Sequence, residues 1–149
     1  MKITERMIDA LAREYPGKKI IRLPETNPQE VICEVAASPD GSWSLAVALI
    51  AKSLPHYHDT TCEAYRVLKG AVRIMDGAQT RQGKVLTSNL FPTNMMTELG
   101  GIEYIWPGRV HCAWAVGRWP AKVLVLATPV WSPRDHHIRH DIKKPFDLT

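Results

Sequence analysis

His56 and His58 stand two residues apart in the stretch Pro55-His56-Tyr57-His58-Asp59-Thr60-Thr61-Cys62-Glu63. On an extended strand that spacing sends both imidazoles to one face, where two nitrogens can close on a single metal ion. A helix would splay them apart. Asp59-Thr60-Thr61 reads as a polar turn and residues 62–68 as a second strand, which predicts a hairpin that brings Glu63 back against the histidine pair. A fourth candidate, His111, follows Pro107-Gly108, a turn that delivers it onto a strand much later in the chain. Three imidazoles and one carboxylate would leave a divalent metal with residual positive charge and open positions for water or substrate. A structural zinc site is normally closed by four ligands, often thiolates, so this set reads as a working site. Its hard and borderline ligands admit Mn, Fe, Co, Ni, Zn or Cu.

The spacing of these residues resembles that of the cupins. The family's first motif is His-x-His, three or four residues, Glu, six residues, Gly, and His56, His58, Glu63 and Gly70 meet it in register. Its second motif is Gly, five residues, Pro-x-Gly, two residues, His, three residues, Asn. Gly101, Pro107, Gly108 and His111 follow it, with Pro107 and Gly108 adjacent and Ala115 at the asparagine position. The resemblance implies an all-β fold, a double-stranded β-helix or jelly-roll barrel, with His56, His58, Glu63 and His111 as the metal ligands. It also implies a homodimer, joined through the N-terminal segment or an edge strand.

Small cupins include aldose-ketose isomerases, metal-dependent dioxygenases and non-catalytic proteins that bind a small ligand. The first expectation is an enzyme acting on a sugar or sugar phosphate through a metal-bound enediolate, with Glu63, Tyr65 or Asp135 as the base. Oxygen chemistry on an enediol or thiol substrate is the second. A small-ligand-binding or metal-storing module is the third.

The period of two sets which side chains share the site. If Glu63 points inward, so do Tyr65 and Val67; if His111 does, so do Ala113 and Ala115, while Cys62, Cys112 and Trp114 face away. The thiols are therefore not expected as ligands. Tyr65 is the candidate donor behind the ligands and, with Glu63, a candidate catalytic residue. The two alanines beside His111 predict a cavity large enough for an organic molecule.

At 149 residues the chain fits one domain and is too short for a two-barrel cupin. Cys33, Cys62 and Cys112 are an odd number without metal-finger spacing, which predicts reduced thiols in a cytoplasmic protein. No leader pattern and no apolar run near the ~18 residues of a membrane span point to a membrane partner. The net charge is +4 and the pI about 9.1. The basic residues are scattered, however, which argues against nucleic acid and for a small, anionic ligand near Arg66, Arg73, Arg109 and Arg118.

Those residues need elements to position them. Ile3, Met7, Ile8 and Leu11 predict an amphipathic helix within residues 1–14, acting as a lid or a dimer contact. Strands are expected over 19–23, 31–36, 44–53, 71–75, 102–106, 112–116 and 121–128, besides 62–68. Residues 78–100 predict one strand at 84–90 and a long loop, either a specificity loop or a plain surface excursion. The chain thus divides into a helix and arm (1–30), a barrel (31–130) and a tail (131–149). The tail carries His136, His137 and His140 with no strand pattern and reads as exposed. The alternative is that Asp135 or His136 folds back over the barrel mouth as a general acid or base.

Overall fold

Eleven strands and one helix form among residues 1–77, 84–87 and 101–142, which this computed structural model describes. They are α1 (Glu5–Glu14), β1 (Lys19–Leu23), β2 (Glu30–Ala37), β3 (Ser44–Ile50), β4 (His56–Tyr57), β5 (Cys62–Lys69) and β6 (Ala71–Asp76). β7 (Lys84–Thr87), β8 (Glu103–Ile105), β9 (His111–Ala115), β10 (Ala121–Thr128) and β11 (His137–Ile138) follow. The strands make two antiparallel sheets, one ordered β1-β2-β3-β10-β5-β8 and the other β11-β4-β9-β6-β7. This is the all-β double-stranded β-helix with a short N-terminal helix.

Strand alternation decides what lies between the sheets. The first sheet turns Ala48, Val123 and Val67 inward as one cross-strand row and Ala46, Val125 and Tyr65 as the next. The second sheet answers with Val72, Ile74, Leu86 and Ala113, and together these side chains form one buried apolar cluster. The cluster fills one end of the interior and leaves the other to the polar residues of the site. At the end of β5 away from Glu63, Gly70 turns the chain into β6 at φ +84, a left-handed backbone that a β-carbon would strain.

The helix covers the opposite face of the first sheet. Ile8 and Leu11 are buried there against Val31, Cys33 and Val47, each contributing about 2 kcal/mol by burial. Glu5 ties the helix to β1 through paired bonds from Arg22 at 2.6 and 2.8 Å. The apolar stripe of α1 is spent on its own sheet, so the helix covers that sheet's outer face rather than acting as a lid on the barrel mouth.

Three expectations change with the topology. β3 stops at Ile50, and the chain crosses to the second sheet before the histidines instead of running into them as one strand. The hairpin expected between the histidine pair and Glu63 does not form: β4 pairs with β9 and β11, whereas β5 pairs with β10 and β8. Asp59-Thr60-Thr61 therefore bridges two facing sheets. As far as residue 142 the tail is docked on the barrel rather than a free end, since Pro133–Asp135 form a single 3-10 turn and β11 pairs with β4; residues 143–149 lie outside the described residues. Of the 78–100 expectation only β7 is described, ending at Thr87; residues 78–83 and 88–100 lie outside the described residues. No described helix is long and apolar enough to cross a membrane.

Candidate metal centre

Both sheets contribute to one point in the barrel. β4 and the residue after it bring His56 and His58, β9 opens with His111 opposite His56, and β5 brings Glu63 from the facing sheet. All four are buried, at 3%, 2%, 2% and 4% exposure. One ligand atom from each lies within 4.8 Å of the others. The turn before β9 joins the two motifs directly: Gly108, at φ +78, donates its N–H to the carbonyl of His58 at 2.7 Å.

Each imidazole is aimed by its other nitrogen. Nδ1 of His56 lies 2.7 Å from the carbonyl of Leu54, Nδ1 of His111 3.0 Å from that of Arg109, and Nδ1 of His58 2.5 Å from that of Asp135. A carbonyl oxygen only accepts, so Nδ1 must carry the proton in all three rings, and neutral rings then present Nε2 as a lone pair. Nε2 of His111 and of His58 stand 3.2 and 3.5 Å from Oε2 of Glu63. Nε2 of His58 is buried with no hydrogen-bond partner. Three inward lone pairs around a carboxylate form a cage of acceptors that needs a cation, and a divalent transition metal fits this donor set.

Electrostatics agree. Burial, with His111 and His136 close by, holds the pKa of His56 well below the usual histidine value. Burial opposes charge on His58 too, but Glu63 and the Asp135 carbonyl raise its pKa overall. Glu63 is pushed up by burial and pulled down by His111 and His58, which win and hold it well below the usual carboxylate range. Tyr65 donates its hydroxyl to Oε2 of Glu63 at 2.7 Å; burial and the charges of Glu63 and Glu30 keep the phenol protonated. Burial pushes the Cys112 thiol up to about 12, so it stays a neutral packing group.

The tail completes the site. The Asp135 carboxylate accepts from the N–H groups of Asp59, Thr60 and Thr61 and from the hydroxyls of Thr60 and Thr61, at 2.7 to 3.3 Å. That clamp fixes the segment carrying the chain from β4 to β5. With its oxygens so occupied and its pKa lowered, Asp135 is a brace rather than an acid or base. His136 stacks on His56 at 4.1 Å between ring centroids, and its Nδ1 is buried without a partner. His137 stacks on Tyr57 at 5.0 Å and pairs with Asp59 at 2.9 Å, while His140 is exposed.

A cavity of about 30 Å³ reaches two of the four ligands, His56 and Glu63, and is lined besides by Tyr65, Glu30, Trp131 and His136. It lies on the β2–β3 side, not beside Ala113, which packs into the apolar cluster. It is partly open, and its interior holds about two water-sized groups, so an organic molecule of the expected size would reach into it only in part. Glu30 went unnoticed in the sequence; it is 8% exposed, and burial with the neighbouring Glu63 pushes its carboxyl up to about 7. Of the four arginines read as flanking an anionic ligand, Arg66 is exposed, Arg73 is half-buried on β6, Arg109 pairs with Asp76 at 3.0 Å, and Arg118 lines a groove beside α1.

No family model and no curated protein matches the chain. Solved structures do. An uncharacterized protein with a double-stranded β-helix domain from Klebsiella pneumoniae is 18% identical with a TM-score of 0.56, over 79% of this chain and 81% of its own. A cupin-superfamily sugar phosphate isomerase from Silicibacter pomeroyi is 18% identical with a TM-score of 0.50, over 70% and 61%. The Streptomyces nucleoside dehydratase Pac13, with uridine, is 7% identical with a TM-score of 0.60, over 89% and 92%. At such identities the likeness establishes the fold, the cupin barrel.

Proposed function

We propose that this cupin is a metal-dependent enzyme that shifts a proton between neighbouring carbons of a small oxygen-rich substrate, as in aldose-ketose isomerisation. The observation that carries the reading is the convergence of three Nδ1-pinned imidazoles and one carboxylate beside a cavity walled by a second, near-neutral carboxyl. His56, His58, Glu63 and His111 would hold the metal. A bound divalent metal supplies Lewis acidity toward adjacent carbonyl and hydroxyl oxygens.

The chain's own residues divide the rest. Glu63 stays ionised as a ligand, and Tyr65, a protonated donor, holds its oxygen in place. Glu63 is thus a poor proton acceptor near neutrality. Glu30, on the cavity wall with a carboxyl near 7, is suited to take a proton and return it. His136 and Trp131 close the cavity from the tail side and limit water. Two solved neighbours named for chemistry on sugars or nucleosides support the substrate class.

The test is proton exchange. Metal-loaded protein is incubated without oxygen, in deuterated water, with a panel of aldoses, ketoses and their phosphate esters. Deuterium entering the carbon next to the carbonyl, with aldose and ketose interconverting, is the expected result. Loaded protein that exchanges no panel member overturns the isomerase reading, and oxygen consumption with an enediol substrate would replace it with dioxygenase chemistry.

A further inference from the structure

The chain carries a net charge of +4, yet the cavity beside the metal ligands is acidic. Glu30, Glu34 and Glu63 all line it, and none of its described lining residues is a lysine or arginine. The acids reach the interior because of how β2 is used. Its apolar residues Val31, Cys33 and Val35 pack under α1, so the alternate residues Glu30, Ile32 and Glu34 turn toward the barrel.

From this lining we infer that the site takes an uncharged, hydroxyl-rich ligand and rejects phosphorylated ones, with the Glu30 carboxyl receiving a ligand hydroxyl. The inference rests on the proposed sugar chemistry and narrows its substrate class. Glu63 is already engaged by Tyr65 and the histidines, and Glu34 by Lys19 at 3.7 Å. Glu30 makes no ion pair among the described residues and lines the cavity, so its oxygens face the space a ligand would enter and can meet donors that the ligand brings. A sugar hydroxyl brings one; a phosphate brings about two negative charges, more than the single residual positive charge that a metal held by three imidazoles and one carboxylate would keep, and the described lining adds carboxyls and no lysine or arginine to offset the rest. Lys52 lines the adjoining hollow behind Glu30 and His136, but it already makes an interaction of its own. Space for about two water-sized groups also suits a hydroxyl arm better than a phosphate.

Binding decides this without turnover. Metal-loaded protein is titrated calorimetrically with D-ribose and D-fructose, each against its terminal phosphate ester. The neutral sugar should bind at least about tenfold tighter than its ester. Glu30→Gln, which keeps the shape and removes the charge, should weaken the neutral sugar and shrink the gap below about threefold, with metal content unchanged. Esters that bind as well as the neutral sugars overturn the inference, as does a panel in which no sugar of either kind binds. If Glu30→Gln fails to fold, the wild-type comparison alone still decides. Binding of neutral sugars without deuterium exchange would sink the enzyme reading and leave this one standing; exchange of the esters alone would do the reverse.

Discussion

Two of the three imidazoles at the centre are braced locally and one is braced from afar. His56 and His111 each lean on the carbonyl two residues before them, Leu54 and Arg109, so the chain that supplies the ligand also supplies its brace. His58 leans on Asp135, 77 residues away in the tail. The first two are therefore as rigid as their strands. The third is only as rigid as the docking of the tail, which couples a ligand on β4's end to the segment that closes the cavity.

The largest effect expected from this comparison belongs to the ligands themselves, and it should not distinguish the two kinds of brace. His58→Ala and His111→Ala should each lower metal affinity by more than about 100-fold, beyond the ~10–100-fold typical of losing an outer partner. Elemental analysis and competition with a chelator read this. Metal content in His58→Ala equal to wild type would remove the centre altogether.

The second effect should separate them. Asp135→Ala deletes the carboxylate that gathers five donors from Asp59, Thr60 and Thr61, while leaving every ligand in place. Thr61, the buried member of the three, would leave its N–H and hydroxyl short of a partner, at a cost of about 1–3 kcal/mol of stability. Metal affinity should fall about 10–100-fold as the tail loosens and the Asp135 carbonyl, which the substitution keeps, no longer holds His58 firmly. In the metal-free protein, amide exchange should speed up over residues 56–61 and 131–139 and stay unchanged at His111. Unchanged metal affinity would break the comparison, since His58 would then be as self-sufficient as its partners.

The same contrast explains what could be read without coordinates. His56, His58, Glu63 and His111 were legible because their spacing is a local, strand-scale pattern, and the strands themselves followed from alternation and turn residues. Sheet membership was not legible. A polar triplet between two extended runs looks the same whether it reverses the chain within one sheet or hands it to the facing one, and only the second holds here. The tail lacked periodicity because its order comes from Asp135 and from pairing with β4, both long-range. Glu30 was hidden by an ordinary alternation: Val31, Cys33 and Val35 look like the inward face of β2 until α1 is seen to cover them.

Acid should expose the difference between the rings next. In the metal-free protein His58 has its pKa raised and His56 has it lowered, so on acidification His58 takes its second proton first. The stability contributed by His58 is complete below its unfolded value and is lost as pH rises through its raised folded value. That from Glu63, whose folded pKa is lowered, is present above the unfolded carboxylate value and lost as pH falls through the folded one. His56 and His136, whose folded values are lowered, act the other way and lose stability as pH falls below the unfolded histidine value, so in the metal-free protein His58 offsets part of that loss. Loaded protein should lose metal and stability as pH falls and protons compete for Nε2 of His58. Histidine NMR titration and melting curves against pH check both signs; identical pH profiles with and without metal would contradict the assignment.

The smallest effect concerns the carboxylate wall. Tyr65→Phe removes one donor, at 2.7 Å, from an oxygen that also faces His111 and His58, and the ring remains packed in the apolar cluster. Because Glu63 keeps its other partners, the loss should stay near about 1 kcal/mol in stability and a few-fold in metal affinity. This places Tyr65 below Asp135 in effect, although its contact with a ligand is just as short. Glu63 sits on a central strand of its sheet, flanked by β10 and β8, and β5 holds it in position whether or not the phenol is present. His58 lies one residue beyond the two-residue strand β4 and has no such frame. A Tyr65→Phe variant that lost metal as severely as Asp135→Ala would show that the hydroxyl, not the strand, fixes the carboxylate.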